Sequence, residues 1–177
     1  IPRFISYASE GLSFLEDEKE AGWERDVSVK NIIGYNKLKM LTAFIMTIPG
    51  IPVIYYADEI GMVGAGDPDN RRPMVFDNLS KYEKEIKLNT KKLLSLRKSR
   101  LSLIYGEYKL LKVSDNIYVY ERFYLDERTI VLFNKSEKII KIELDEDFNN
   151  FKTNFNSVIY SRSIQLNPYS FEILTIN

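Results

Sequence analysis

The sequence contains no cysteine and no histidine. Disulfides, thiolate nucleophiles, imidazole bases and zinc sites built from those ligands are therefore excluded. It also lacks an excess of either charge: Lys plus Arg and Asp plus Glu each number 25. No long-range field then gathers nucleic acid or an anionic surface, and a neutral ligand is the easier partner. No apolar run is long enough to span a bilayer, which argues against membrane insertion. What chemistry remains must use carboxylates, Arg, Lys, Tyr or amides. With 45% apolar and 28% charged residues, the 177-residue chain has the balance of a globular protein able to bury a core.

The chain opens at Ile1, without Met and without the charged-then-apolar start of a signal peptide, as though taken from something longer or processed. The compartment stays open, the periplasm and the cell exterior included. Residues 1–34 show no sustained period and read as a long ordered loop with one short helix. From Tyr35 to Thr47, Leu38, Leu41, Phe44 and Ile45 fall on one helical face, and Pro49-Gly50 ends the helix. Ile51–Tyr56 (IPVIYY) is a short β-branched and apolar run, the pattern of a parallel strand covered on both faces. Gly61–Met74 (GMVGAGDPDNRRPM) reads as a loop at the C-terminal end of that strand, where α/β folds bind ligands. Ser80 and Glu83 form a capping-box pattern before a helix to about Lys98.

Beyond Arg100 the rhythm changes to short β-prone runs at 107–113, 117–124, 129–134, 138–144, 157–160 and 170–176, separated by turn clusters. Several alternate, as Ile117, Val119, Glu121 and Phe123 do against Tyr118, Tyr120, Arg122 and Tyr124. The expected fold class is α/β plus all-β, with one domain over 1–100 and an antiparallel β-sandwich over 101–177.

The run Pro49 to Glu59 (PGIPVIYYADE) followed by Asp67-Pro68-Asp69-Asn70-Arg71 resembles glycoside hydrolase family 13, the α-amylase family. That family typically shows Pro-Gly-x-Pro-x-Ile-Tyr-Tyr-Gly-x-Glu, then Asp-Pro-x-Asn-Arg; Ala57 stands here where Gly is usual. Ile1-Pro2-Arg3-Phe4 is similar to the residues just after the family's Asn-His-Asp motif, and Leu166 to Ile176 is similar to the closing strand of its C-terminal β domain. The resemblance weakens between about Leu12 and Asn31 and in the middle of the β region.

The resemblance implies that residues 1–100 are the last part of a (β/α)8 TIM barrel: the loop after strand seven, helix seven, strand eight and helix eight. It implies a parent enzyme acting on α-glucosidic bonds of starch-like or maltooligosaccharide substrates by a retaining mechanism. The catalytic carboxylates would lie before Ile1, leaving no catalytic residue in this chain and an inactive fragment. The rest of the same barrel would be its partner. No cofactor is expected here, and calcium is left to the part beyond. Asp67 and Arg71 are the substrate-binding candidates: a carboxylate accepts two hydroxyl hydrogen bonds and a guanidinium donates in a planar fork, which together suit vicinal hydroxyls of a pyranose. The plainer reading makes Asp67–Asn70 a turn that Arg71 ties to the body.

Asp58 and Glu59 are adjacent, so on an extended strand they face opposite ways and cannot flank one sugar ring; a structural role is expected, with Glu59 salt-bridged. Tyr55 and Tyr56 are expected in the core. Arg3 either contacts the catalytic rim or pairs with an acid, and Trp23 either stacks on a sugar or pins its loop. Asp145-Glu146-Asp147 lacks the spacing of a calcium loop and reads as a polar turn. The alternatives kept are a non-catalytic scaffold of amylase-like fold and a transglycosylase or isomerase of the same family.

Overall fold

The protein is described from a computed structural model covering residues 1–145 and 147–176. Among the described residues five α-helices form: α1 (Phe4–Ala8), α2 (Glu18–Glu24), α3 (Ile33–Thr47), α4 (Lys81–Ser99) and α5 (Leu101–Tyr105). The strands among the described residues come after them: β1 (Glu107–Val113), β2 (Ile117–Tyr124), β3 (Glu127–Asn134), β4 (Ile140–Glu143), β5 (Lys152–Thr153), β6 (Val158–Tyr160), β7 (Ser163–Leu166) and β8 (Ser170–Ile176). The chain divides into two units, residues 1–42 with 53–92 and residues 43–52 with 93–177, so the division falls inside α3 and α4. The β-rich unit thus takes in stretches before residue 101.

In the first unit, Asp17 caps α2 by accepting from Lys19 and Glu20 N–H at 2.9 Å each, satisfying donors that the first turn leaves free. Ser80 and Glu83 form the reciprocal capping box that starts α4: Ser80 N–H donates to Glu83 at 2.6 Å and Glu83 N–H to Ser80 Oγ at 3.3 Å. Ile5, Tyr35, Leu38 and Ile86 make one buried cluster, and Leu12, Ala21, Val27 and Ala65 another. The long opening loop therefore carries two short helices rather than one, anchored by these apolar residues.

The largest departure from the sequence reading is at Ile51–Tyr56. No strand forms there, and Ile51 and Val53 are 91% and 76% exposed. A parallel strand takes its hydrogen-bond ladder from neighbouring strands, and both sheets of the described residues lie elsewhere in the chain.

In the second unit one sheet has the order β1-β2-β3-β8-β5 and the other β4-β7-β6, with antiparallel neighbours throughout. A single apolar cluster joins Val119, Ile130, Leu132 and Leu174 of the first sheet to Ile142, Ile164 and Leu166 of the second, with Phe148 and Phe151. The opposite face of the first sheet is covered as well. Phe44 meets Tyr118 and Phe133, Thr47 Oγ1 and the Tyr120 hydroxyl lie 2.5 Å apart, and Ser102 Oγ lies 2.8 Å from Thr129 Oγ1. Hence residues 119–122 are all buried although their types alternate. The short strands β5 and β7 and helix α5 have no counterpart in the sequence reading. Glu146, in the polar stretch Asp145-Glu146-Asp147 compared above with a calcium loop, lies outside the described residues. Among those described, no helix is long and apolar enough to cross a membrane, and no group of three or more carboxylates is arranged to hold a metal ion.

Candidate functional site

The loop from Gly61 to Met74 is held from within the first unit. Gly66 N–H donates to Glu18 O at 2.8 Å, and Ser6 Oγ bridges both backbone groups of Gly64 at 2.9 Å. Helix α2 approaches so closely that a Cβ on Gly22 would stand 2.9 Å from Asp69 Cβ, so only glycine fits there.

Inside this loop two ion pairs have opposite characters. Arg72 grips Asp69 through both carboxylate oxygens, at 2.7 and 3.0 Å, and extends Nη1 to Val27 O at 3.4 Å. Asp69 also accepts from Ala65 N–H at 2.7 Å. Burial on its own raises the Asp69 pKa, but the hydrogen bonds from Arg72 and Ala65 and the charge of Arg72 outweigh it and hold the carboxyl below the ordinary aspartate value. A depressed native pKa adds stability above the unfolded value and loses it as pH falls through the native one. Asp69→Asn is therefore expected to lower stability by about 1 kcal/mol at neutral pH. In thermal melts the gap from the parent should narrow below about pH 4; a gap independent of pH would remove the ion pair from the account.

Asp67 and Arg71 form the second pair, Arg71 Nε to Asp67 Oδ1 at 2.7 Å, and their side chains are 57% and 67% exposed. Both candidates thus come together, on the outer side of a turn that Arg72, not Arg71, ties down. A cavity of about 490 Å³ in the same unit lies elsewhere, lined by Tyr7, Glu10, Phe14, Glu16 and Arg25 among others.

Several neighbouring residues differ from expectation. Tyr55 and Tyr56 are not core: they are 46% and 39% exposed and flank Arg3, whose guanidinium carbon lies 4.7 and 4.9 Å from their ring centres. Asp58 and Glu59 occupy a 3₁₀ turn, Asp58–Ile60, rather than a strand end. The salt bridge belongs to Asp58, with Arg3 at 2.9 Å, whereas Glu59 Oε2 is buried without a hydrogen-bond partner among the described residues. Burial raises the Asp58 pKa, with Arg3 offsetting only part of the effect. Ala57, which leads into the turn, has φ +69°, a left-handed conformation that costs a non-glycine residue about 1–2 kcal/mol. That is the physical basis for the glycine usual at this place in the resemblance. Trp23 is 70% exposed. The Asp69–Arg72 clamp was missed in the sequence although its spacing of three was visible there.

No family model matches the chain. A cyclomaltodextrinase of Thermoanaerobacter pseudethanolicus is 39% identical over 110 residues, 62% of this chain and 19% of that protein. Neopullulanase 2 of Thermoactinomyces vulgaris is 37% identical over 105 residues, 58% of this chain and 18% of that one. Among solved structures, an Anoxybacillus α-amylase matches with a TM-score of 0.71 and 29% identity, over 80% of this chain and 32% of that one. A maltogenic amylase from S. marinus matches with a TM-score of 0.65 and 34% identity, over 79% of this chain and 19% of that one. Over the matched stretch the chain is similar to proteins of the α-amylase family. It spans about a fifth of the length of the curated relatives it matches, and its antiparallel sheets are like the C-terminal all-β domain of its amylase-family structural neighbours.

Proposed function

We propose that the chain is the C-terminal portion of an amylase-family glycoside hydrolase acting on α-glucans. In this reading residues 1–100 complete a (β/α)8 barrel and residues from 101 form a β-sandwich. Ile51–Tyr56 becomes the eighth barrel strand once neighbouring strands supply its ladder, which also covers its exposed apolar side chains. Asp67 and Arg71 bind a pyranose ring through adjacent hydroxyls. The two carboxylates of a retaining mechanism, about 5 Å apart across the bond, lie outside this chain, which by itself is inactive. Asp58, engaged by Arg3, and its neighbour Glu59 do not supply them.

One observation carries the reading: the Asp67–Arg71 pair is exposed while the separate Asp69–Arg72 clamp holds the turn. An exposed ion pair adds little to stability, so the fold has small use for Asp67 and Arg71 where they stand. A hydroxyl-rich ligand does, because each group gains charge-assisted hydrogen bonds in a fixed fork. Amylolytic relatives support an α-glucan as that ligand.

Asp67→Ala and Arg71→Ala in the full-length enzyme are expected to lower kcat/KM on maltooligosaccharides by about 10- to 100-fold, the usual effect of removing a charge-assisted hydrogen bond to substrate. Melting temperatures should stay close to the parent's. Unchanged kinetics in both variants would take the pair out of the site.

A further inference from the structure

Arg3 is 4% exposed, yet it stands at the opening of the chain, far in sequence from everything it holds. Its backbone N–H donates to Gly64 O at 3.0 Å. Its Nη1 donates to Tyr56 O at 2.8 Å and to Asp58 Oδ1 at 2.9 Å, and its Nε to Asn70 O at 3.1 Å. The Asn70 side chain returns the contact, donating to Ile1 O at 2.9 Å. One guanidinium thus holds three points: the end of the exposed stretch Ile51–Tyr56, the turn at Asp58, and the carbonyl immediately before Arg71.

The third point matters for ligand binding. The carbonyl of Asn70 and the N–H of Arg71 share one rigid peptide plane, so holding that oxygen restrains the N–Cα bond from which Arg71 departs. The Asp69–Arg72 clamp restrains the peptide from the other side. Only a planar, multiply donating group reaches all three acceptors at once; an ammonium has the charge without the fork. We infer that Arg3 is a positioning residue for Arg71, presetting its guanidinium beside Asp67 so that the pyranose meets an already arranged pair. This rests on the sugar-binding reading of Asp67 and Arg71. Arg3 itself touches no sugar; its contribution is order supplied before binding.

The test is a cycle in the full-length enzyme with Arg3→Lys, Arg71→Ala and the double variant, measured as kcat and KM on maltohexaose. Arg3→Lys is expected to raise KM about tenfold with kcat changed less than about threefold, since binding geometry rather than the reacting bond is disturbed. In the Arg71→Ala background the same change should raise KM by less than about twofold, because nothing is left to position. Equal rises in both backgrounds, or no rise in either, would overturn the role. If Arg71→Ala alone leaves KM untouched, the sugar reading fails first, a result separable from the failure of the positioning role. Should Arg3→Lys fold poorly, Asp58→Asn removes the charge facing Arg3 while keeping its shape. It should give the same background-dependent pattern at about threefold, and equal rises in both backgrounds would again refute the role.

Discussion

Glu172→Ala is expected to lower the unfolding free energy of the chain by about 3–4 kcal/mol, the largest loss from any single side chain here. Glu172 sits on β8 with no exposed surface, and its carboxylate is used entirely by backbone donors. Oε1 accepts from Asn154 N–H at 2.8 Å, Phe155 N–H at 2.6 Å and Ile173 N–H at 2.8 Å, while Oε2 accepts from Ser157 N–H at 2.8 Å. Residues 154–157 make no strand of their own, so this one side chain supplies hydrogen bonds that a sheet ladder would otherwise give. Alanine leaves the Phe155 and Ser157 N–H groups without this acceptor, while Asn154 N–H keeps Ile173 O at 3.1 Å. Glu172→Gln separates charge from shape: its oxygen can keep the Oε1 bonds, but its amide then faces the Ser157 N–H, donor against donor. About half the alanine loss is expected for Gln, read from urea titrations with unchanged m-values. A loss below about 1 kcal/mol for Ala would mean that the 154–157 segment is organised by something else.

Glu172 also marks the limit of what the sequence told. In SFEILTI the glutamate looks like the solvent side of an alternating strand, because periodicity records residue type and not what a carboxylate meets across the chain. The same holds for Arg122, placed by alternation among Tyr118, Tyr120 and Tyr124 on a face that α3 and α5 then bury. Long-range polar contacts are invisible to local pattern. By contrast, the bounds of β1, β2 and β8 and the start of α4 were legible to the residue, since turn clusters and a capping box are local signals.

The candidate site divides along the same line. Asp67 and Arg71 were singled out by motif and by what a carboxylate and a guanidinium can bind, and they do meet. Arg3 was visible only as an undecided basic residue, because its partners lie 53 to 67 positions away. At Ile51–Tyr56 composition favoured a buried strand, whereas the stretch is exposed and joins neither sheet of the described residues.

Arg122→Met is the second large effect expected, about 2–4 kcal/mol of lost stability. Arg122 is 1% exposed; its Nη1 donates to Thr47 O at 2.6 Å and its Nη2 to Gly106 O at 2.7 Å. These are carbonyls at the ends of α3 and α5, where a helix has no internal donor left and its dipole is negative. Arg97 serves the same end of α3, donating to Met46 O at 2.7 Å and Gly50 O at 2.6 Å. α3 has no basic residue in its own last turn, so both charges come from elsewhere in the second unit. Burial, with Arg97 close by, pulls the Arg122 pKa down, so the cation is kept at a cost that its acceptors offset. Replacing a whole buried ion pair with apolar groups is often neutral. Here only the donor is replaced, and Met leaves two buried carbonyls with nothing to accept. Arg122→Lys retains the charge but, as a point donor, satisfies one carbonyl at a time, and should fall midway. Because Arg97 and Arg122 share a helix end, the Arg97→Met and Arg122→Met losses should not add: once one has frayed the last turn of α3, the other has less to hold. Strict additivity in urea unfolding would show that the two arginines act on separate structures, and a neutral Arg122→Met would show that water can replace a guanidinium at this helix end.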